Sequence, residues 1–281
     1  MEDLVMESYG KINLALDILY KRDDGYHEIN TIMQNINLKD RLIFNKIDKG
    51  IIIESSNPDV PTDSSNLVYK VWEKLKEVTG IDKGIHIKIE KKIPIAAGLA
   101  GGSSNAATTL KALNQLWNLK LSSKELMQIG GELGADIPFC IMGGTALAQG
   151  IGEKLMKLQS FANKYILLCN PGMGISTAQA YSKINPNGHR LDIDGLANCI
   201  EEDDIYCVAS KLSNKMEEAI IREYPMIQEI KDMMMKNGAL GSLMSGSGPT
   251  VFGLFDDKDK MISAKKELSK KIDYIYLCQT I

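Results

Sequence analysis

The sequence predicts an α+β chain built as two packed lobes. Three observations carry this: period-2 and helical hydrophobic patterns alternate along the chain, glycine-rich stretches fall between them, and glycine clusters near residue 150 precede a fresh apolar run. With 281 residues, 44% of them hydrophobic, there is material for one large core or two joined ones. Gly143-Gly144 and Gly150-Ile151-Gly152 stand ahead of Tyr165-Ile166-Leu167-Leu168-Cys169, so the lobes are drawn as residues 1–153 and 154–281. The joining segment lacks the composition of a disordered linker, and the lobes are expected to pack with a cleft between them.

The elements follow in order. Ile12 to Ile18 alternates apolar and mostly polar residues, the pattern of a half-buried strand. Arg22-Asp23-Asp24-Gly25 is turn chemistry, since Asp-Gly tolerates positive φ. Val68, Val71, Leu75 and Val78 recur at helical spacing between Asn66 and Thr79, with Gly80 as the stop. Ile85-His86-Ile87-Lys88-Ile89-Glu90 is the cleanest strand alternation and puts His86 on the polar face. Ala106, Leu110, Leu113 and Trp117 form the stripe of a buried helix. Ser122 with Glu125 reads as a capping box, opening a helix through Leu126, Ile129 and Leu133 that ends near Gly134. Ile227, Ile230 and Met234 mark a further helix closed by Gly238, and Val251 to Phe255 a strand.

Composition narrows the function. A net charge of -3 argues against a nucleic-acid partner, which would normally demand a basic face. The pairs Lys91-Lys92 and Lys265-Lys266 read as solvated edges. Cys140, Cys169, Cys199, Cys207 and Cys278 lack CxxC spacing, and their odd number reads as reduced thiols rather than a disulfide framework. His27, His86 and His189 lie far apart, with no local zinc pattern. The acidic start lacks signal-peptide character, and no apolar run approaches the ~18 residues of a membrane span. A soluble cytoplasmic protein is expected, with no membrane and no obligate protein partner implied.

The most informative segment is Pro94-Ile95-Ala96-Ala97-Gly98-Leu99-Ala100-Gly101-Gly102-Ser103-Ser104-Asn105, placed between a strand and a helix. Small residues let the backbone approach a ligand closely, and the following helix offers free N–H groups and the positive end of its dipole. Together these make an anion site suited to a polyphosphate. The stretch is neither GxxxxGK[ST] nor GxGxxG, so the Walker and Rossmann readings fail. A plain packing joint remains the alternative. Leu243-Met244-Ser245-Gly246-Ser247-Gly248-Pro249-Thr250 is a second glycine-rich element, and Gly10-Lys11-Ile12-Asn13 brings a lysine and an amide to a strand.

These elements, in this order, resemble the galactokinase–homoserine kinase–mevalonate kinase–phosphomevalonate kinase (GHMP) superfamily. Its central Pro-x-x-x-Gly-Leu-x-Gly-Gly-Ser-Ser motif is matched at Pro94, Gly98, Leu99, Gly101, Gly102, Ser103 and Ser104. Gly10 to Leu14, Arg22-x-Asp24-Gly25-Tyr26-His27, Leu133 to Phe139 and Pro171-Gly172 through Ser176-Thr177 resemble one branch of it. That branch acts on a cytidine-diphosphate-linked methylerythritol in the non-mevalonate isoprenoid route. The matches run from residue 10 to about 255.

The resemblance implies a two-lobed GHMP-kinase fold with the active site in the cleft, and a left-handed βαβ crossover around the glycine loop. It implies ATP as phosphoryl donor, accompanied by Mg²⁺, whose ligands stay open beyond Ser103 or Ser104. Pro94 to Asn105 with Gly246, Ser247 and Gly248 would bind ATP, and Asn66, Lys91 and Asn105 would surround adenine and ribose. Asp136 would be the general base, against the alternative of a turn or capping aspartate. Lys11 would keep Asp136 ionised and offset charge in the transition state. Asn13, Tyr26, His27, Thr177 and Tyr181 would bind the acceptor, with Tyr26 and Tyr181 sandwiching the cytosine and His27 reading its edge. Asn66 and Thr177 also suit helix N-caps. Two other readings stay open: a homoserine or mevalonate kinase, whose substrates lack a nucleobase, and a nucleotide-binding sensor without catalysis.

Overall fold

The computed structural model describes residues 3–184, 186 and 189–281. The backbone opens with two long strands, β1 (Leu4–Lys21) and β2 (His27–Ile47), which are neighbours in one sheet. The expected turn joins them: Gly25 takes φ +87°, and Arg22 and Tyr26 close it through a 2.8 Å backbone hydrogen bond. Then follow β3 (Ile51–Ser55), α1 (Leu67–Thr79) and β4 (Gly84–Glu90). α1 begins and ends as its sequence dictates, with the Asn66 side chain accepting from the Val68 N–H and Gly80 in the left-handed conformation.

Next come α2 (Gly101–Trp117), α3 (Ser123–Leu133), α4 (Ile137–Met142), β5 (Thr145–Gly150), β6 (Lys154–Lys157) and β7 (Tyr165–Asn170). Ser122 and Glu125 form the expected capping box. The chain continues through α5 (Thr177–Ser182), α6 (Ile193–Glu201), α7 (Ile205–Lys211), β8 (Ser213–Asn214) and α8 (Glu217–Glu223). It finishes with α9 (Met226–Lys236), β9 (Gly241–Met244), β10 (Val251–Phe255), α10 (Lys258–Leu268) and β11 (Tyr274–Gln279).

Packing groups these elements into two compact units that are interleaved along the chain. The first unit comprises Met1–Gly10, Leu38–Ile95 and Ala100–Gly143. In it β3 runs parallel to β4, and β4 pairs antiparallel with the second half of β2, Arg41 opposite Glu90. Leu42, Phe44, Ile85, Ile87 and Ile89 of this sheet share one core with Val68, Leu75, Leu110, Leu113 and Ile129 of the helices.

The second unit comprises Lys11–Asn37, Ala96–Leu99 and Gly144–Ile281. There the first half of β2 pairs with β5, β5 with β6, and β1 with β8 in parallel. A separate four-stranded antiparallel sheet has the order β11-β7-β10-β9. Its Leu167, Val251 and Phe255 share a core with Leu16 and Ile18 of β1 and Ile227, Ile230 and Met234 of α9. The 153/154 division drawn from sequence order is a different cut from this packing.

Several expectations need correction. Ile12 to Ile18 is buried on both faces, not half-buried, and its polar members Asn13 and Asp17 are 2% and 1% exposed. Asp17 tolerates this because Lys215 lies 2.8 Å from its carboxylate and the Leu191 N–H donates to it. Val78 is 51% exposed, and Trp72 takes the place on the buried face of α1 that the periodicity gave to Val78. Cys199 and Cys207 are disulfide-bonded, joining α6 to α7, so the expectation of five reduced thiols fails for this pair. No helix among the described residues is long and apolar enough to cross a membrane.

Candidate active site

The glycine loop starts where β4 ends and does not persist to Asn105. α2 begins at Gly101, so Gly101 to Asn105 are helical where the sequence suggested loop. Their small side chains argue for a loop by propensity alone, and tertiary packing overrides it. The loop proper contains three positive-φ residues, Ala96, Gly98 and Ala100. At Gly98 glycine is required twice over: φ is +74°, and a Cβ would meet the Ser245 carbonyl oxygen at 2.1 Å. Ala100 occupies the N-cap without a side-chain cap, and the first turn of α2 holds no acidic residue. The leading N–H groups of a 17-residue helix, with their share of the dipole, are therefore left open to an anion.

Within the first unit, the ends of this loop meet a buried carboxylate. Asp40 is 0% exposed and accepts from the Lys92 N–H at 2.7 Å, the Ile93 N–H at 2.8 Å, Lys91 Nζ at 2.6 Å and Asn105 Nδ2 at 2.9 Å. Lys91 is no solvated edge, since its side chain is only 5% exposed. Burial pulls its pKa below the ordinary lysine value, with the charge of Asp40 opposing the shift. Ser104 Oγ donates to the Tyr9 carbonyl at 2.6 Å and accepts from Ser8 Oγ at 2.8 Å. Asn105 Nδ2 also donates to Ser8 Oγ at 2.9 Å. Asn66 uses its oxygen as the cap of α1 and its Nδ2 on the Pro61 carbonyl at 2.6 Å. Sequence reading named Lys91, Ser104, Asn105 and Asn66 for ATP. The structure engages each of these side chains with protein groups, and it adds Asp40 and Ser8, which no local pattern announced.

Asp136, also in the first unit, stands at the N-cap position of α4 but makes no side-chain cap hydrogen bond. The capping alternative raised by its sequence context is thus not its role. Next to it the helices approach closely: a Cβ on Gly130 of α3 would meet Ile137 Cγ2 at 2.5 Å. The pair Gly130 and Ile137 lets the start of α4 lie tight against α3.

Within the second unit, Lys11 and Asn13 project from the same face of β1, as a strand's period requires. Lys11 is 4% exposed and its Nζ donates to Asn13 Oδ1 at 2.6 Å. Asn13 Nδ2 donates to Thr31 Oγ1 at 2.8 Å, and Thr31 donates on to the Ala15 carbonyl at 2.5 Å. Thr31 is a further residue that sequence reading missed. The second glycine motif abuts this chain: a Cβ on Gly246 would lie 3.2 Å from Asn13 Oδ1 and 3.4 Å from Lys11 Nζ. Ala96 to Leu99 are anchored in the same unit. The Ile175 N–H donates to the Ala96 carbonyl at 3.2 Å, Ser245 Oγ to the Gly98 carbonyl at 3.0 Å, and the Lys11 N–H to the Leu99 carbonyl at 3.1 Å. Thr177, the first residue of α5, has its hydroxyl 3.4 Å from that of Ser247.

The aromatic residues form a second cluster in that unit. His27 and Tyr181 stack with centroids 4.9 Å apart and an interplanar angle of 20°. The ring facing Tyr181 is thus His27, whereas Tyr26 is 60% exposed. Burial, aided by the charge of Lys21, holds the His27 pKa below its ordinary value, which favours the neutral ring. The Asp24 carboxylate accepts from the Tyr26 N–H at 3.0 Å and pairs with Arg22 at 2.9 Å, and Arg22 also pairs with Glu28 at 2.8 Å. Together these contacts fix the turn that carries Tyr26 and His27. Among the described residues no group of three or more His, Cys, Asp or Glu could hold a metal ion.

An uncapped helix start after a glycine loop is the arrangement of a phosphate-binding class. Comparison with known proteins agrees. Residues 66–144 match the family described as GHMP kinases N terminal domain, and residues 196–273 match GHMP kinases C terminal. A 4-diphosphocytidyl-2-C-methyl-D-erythritol kinase of Caldicellulosiruptor bescii is 45% identical, over 98% of this chain and 97% of that protein. Kinases of the same name from Alkaliphilus oremlandii and Clostridioides difficile are each 47% identical. The first covers 100% of this chain and 97% of its own, the second 99% and 95%. A crystal structure of 4-(cytidine 5'-diphospho)-2C-methyl-D-erythritol kinase superposes with a TM-score of 0.84 at 30% identity, covering 99% of each chain. Homoserine kinase from Cytophaga hutchinsonii shares the fold at a TM-score of 0.75 and 22% identity, over 99% of this chain and 97% of that one. The chain belongs to the 4-diphosphocytidyl-2-C-methyl-D-erythritol kinase family of the GHMP kinases.

Proposed function

We propose that the chain transfers the γ-phosphoryl group of ATP to the 2-hydroxyl of 4-diphosphocytidyl-2-C-methyl-D-erythritol, in the non-mevalonate isoprenoid precursor pathway. The observation that carries the ATP half is the open N-terminus of α2 behind a loop whose glycine cannot be replaced. Full-length similarity to kinases of that name supports the acceptor half.

Phosphoryl transfer asks a protein for positioning and charge stabilisation more than for covalent chemistry. Asp136 accepts the proton of the attacking hydroxyl. Lys11 offsets negative charge on the transferring group, and Asn13, held by Thr31, fixes where the Lys11 ammonium points. Gly246, Ser247 and Gly248 offer further close backbone approach, with Thr177 beside Ser247. Tyr26, His27 and Tyr181 receive the cytidine by stacking and base-edge hydrogen bonds. Mg²⁺ bound with the nucleotide would neutralise phosphate charge. Because Ser104 is committed to Tyr9 and Ser8, Ser103 is the serine that would hold the ion. The reading places the enzyme in the cytoplasm, with ATP and the cytidine-diphosphate-linked alcohol as its small-molecule partners and no obligate protein partner.

The test is ADP release measured with and without the acceptor, for the native chain and Asp136→Asn. Release that depends on the acceptor, and falls by about 10²–10⁴-fold in the variant while ATP binding persists, is expected. Full activity in Asp136→Asn refutes the base, and release indifferent to the acceptor refutes the substrate.

A further inference from the structure

Asp40 of β2 lies far in sequence from the residues it holds, and it belongs to none of the motifs. Its two oxygens receive four donors, which uses the whole acceptor capacity of a carboxylate. One oxygen takes the N–H groups of Lys92 and Ile93, the residues that lead into Pro94. The other takes Lys91 Nζ and Asn105 Nδ2, the latter about one turn inside α2. Lys91 Nζ also donates to the Ile93 carbonyl at 2.7 Å, and a Cβ on Gly101 would lie 2.9 Å from it. The start of α2 therefore rests on the Lys91 ammonium, and that ammonium rests on Asp40.

A buried ion pair of this kind is a poor source of stability, because desolvation offsets most of its attraction and apolar side chains would serve as well. What it supplies is direction. It ties the entry of the loop to the first turns of the helix that follows it, on either side of the positive-φ residues Ala96, Gly98 and Ala100. We infer that Asp40 is a positioning residue for the nucleotide: it sets the angle at which the open N–H groups of α2 meet the phosphates. The inference rests on the ATP-binding reading above. The charge matters as well as the shape, since an amide at this position would turn its NH2 donor towards one of the two donor pairs, Lys92 N–H and Ile93 N–H or Lys91 Nζ and Asn105 Nδ2.

The experiment titrates ATP into the native chain, Asp40→Asn and the double variant Asp40→Asn/Lys91→Met, with thermal unfolding followed in parallel. Asp40→Asn is expected to weaken ATP binding about tenfold and to leave the KM for the acceptor unchanged. It also unfolds at lower temperature, because it strands a buried ammonium. The double variant removes that stranded charge, so its unfolding temperature recovers while ATP binding stays weak. A folded Asp40→Asn that binds ATP like the native chain overturns the inference. So does a double variant in which both properties recover together, or a kcat loss with ATP and acceptor KM unmoved. Failure of the native chain itself to bind ATP overturns the underlying reading instead, and is distinguishable because no substitution is involved.

Discussion

Beside the second glycine motif Lys11 and Asn13 are buried and hydrogen-bonded to protein groups, whereas Tyr26 of the same unit is exposed and the His27–Tyr181 stack is half-buried. The polar side chains of the first region are already partnered within the protein. The second presents rings that a planar base can join. Under the proposed function the difference matches the ligands each region would receive. A polyphosphate is bound by fixed dipoles, whose value depends on costing no reorganisation. A base is bound by ring faces, whose attraction tolerates small displacements.

The sharpest way to break the comparison is to force a branched side chain into the first region. Gly98→Val adds a side chain at φ +74° against the Ser245 carbonyl, which should weaken ATP binding by more than about tenfold and cost at least ~2 kcal/mol of stability. Nucleotide titration and denaturant unfolding measure the two effects, and a near-native result would show that the loop is not held as described. In the open region, Tyr181→Ala should raise the acceptor KM about tenfold and leave the KM for ATP alone. An unchanged acceptor KM would favour a substrate without a nucleobase.

The smallest effect concerns pH. The His27 pKa lies below the ordinary value of 6.5, so the unfolded chain takes up that proton first as pH falls. Stability attributable to His27 is therefore intact above about 6.5 and declines below it, down to the depressed folded value. His27→Gln should remove this part of the acid slope, seen as a smaller difference in unfolding midpoint between neutral and mildly acidic buffer. An identical slope in both proteins would show that His27 is as free to protonate as in the unfolded chain.

Features set by neighbours in sequence were legible, and those set by distant partners were not. Ser122 with Glu125, Asn66 with Gly80, and the Asp24-Gly25 turn act over a few residues, and their local chemistry suffices. Lys91 looked like half of a solvated pair because its partner Asp40 stands 51 residues away. Asn13 and Asp17 looked like the wet face of a strand, but β1 is covered on both sides. Gly101 to Asn105 looked like loop because glycine and serine are poor helix formers. Site residues were read mainly through the family motif, which is why Asp40, Thr31 and Ser8, outside every motif, escaped notice.

The interleaving of the two units has a consequence for how the chain is made. Residues up to Gly143 include everything the first unit needs, so it can consolidate while the ribosome is still producing the rest. The second unit already owns Lys11–Asn37 by then, yet these residues must wait. Asn35 accepts from the Ile281 N–H, Ile36 bridges Thr280, and Gln34 donates to the Ile281 carbonyl from 247 residues away. The strand that carries Asn13's partner Thr31 is thus among the first segments synthesised and among the last to be satisfied. Removing Thr280 and Ile281 would leave backbone and side-chain groups of this early strand unmet.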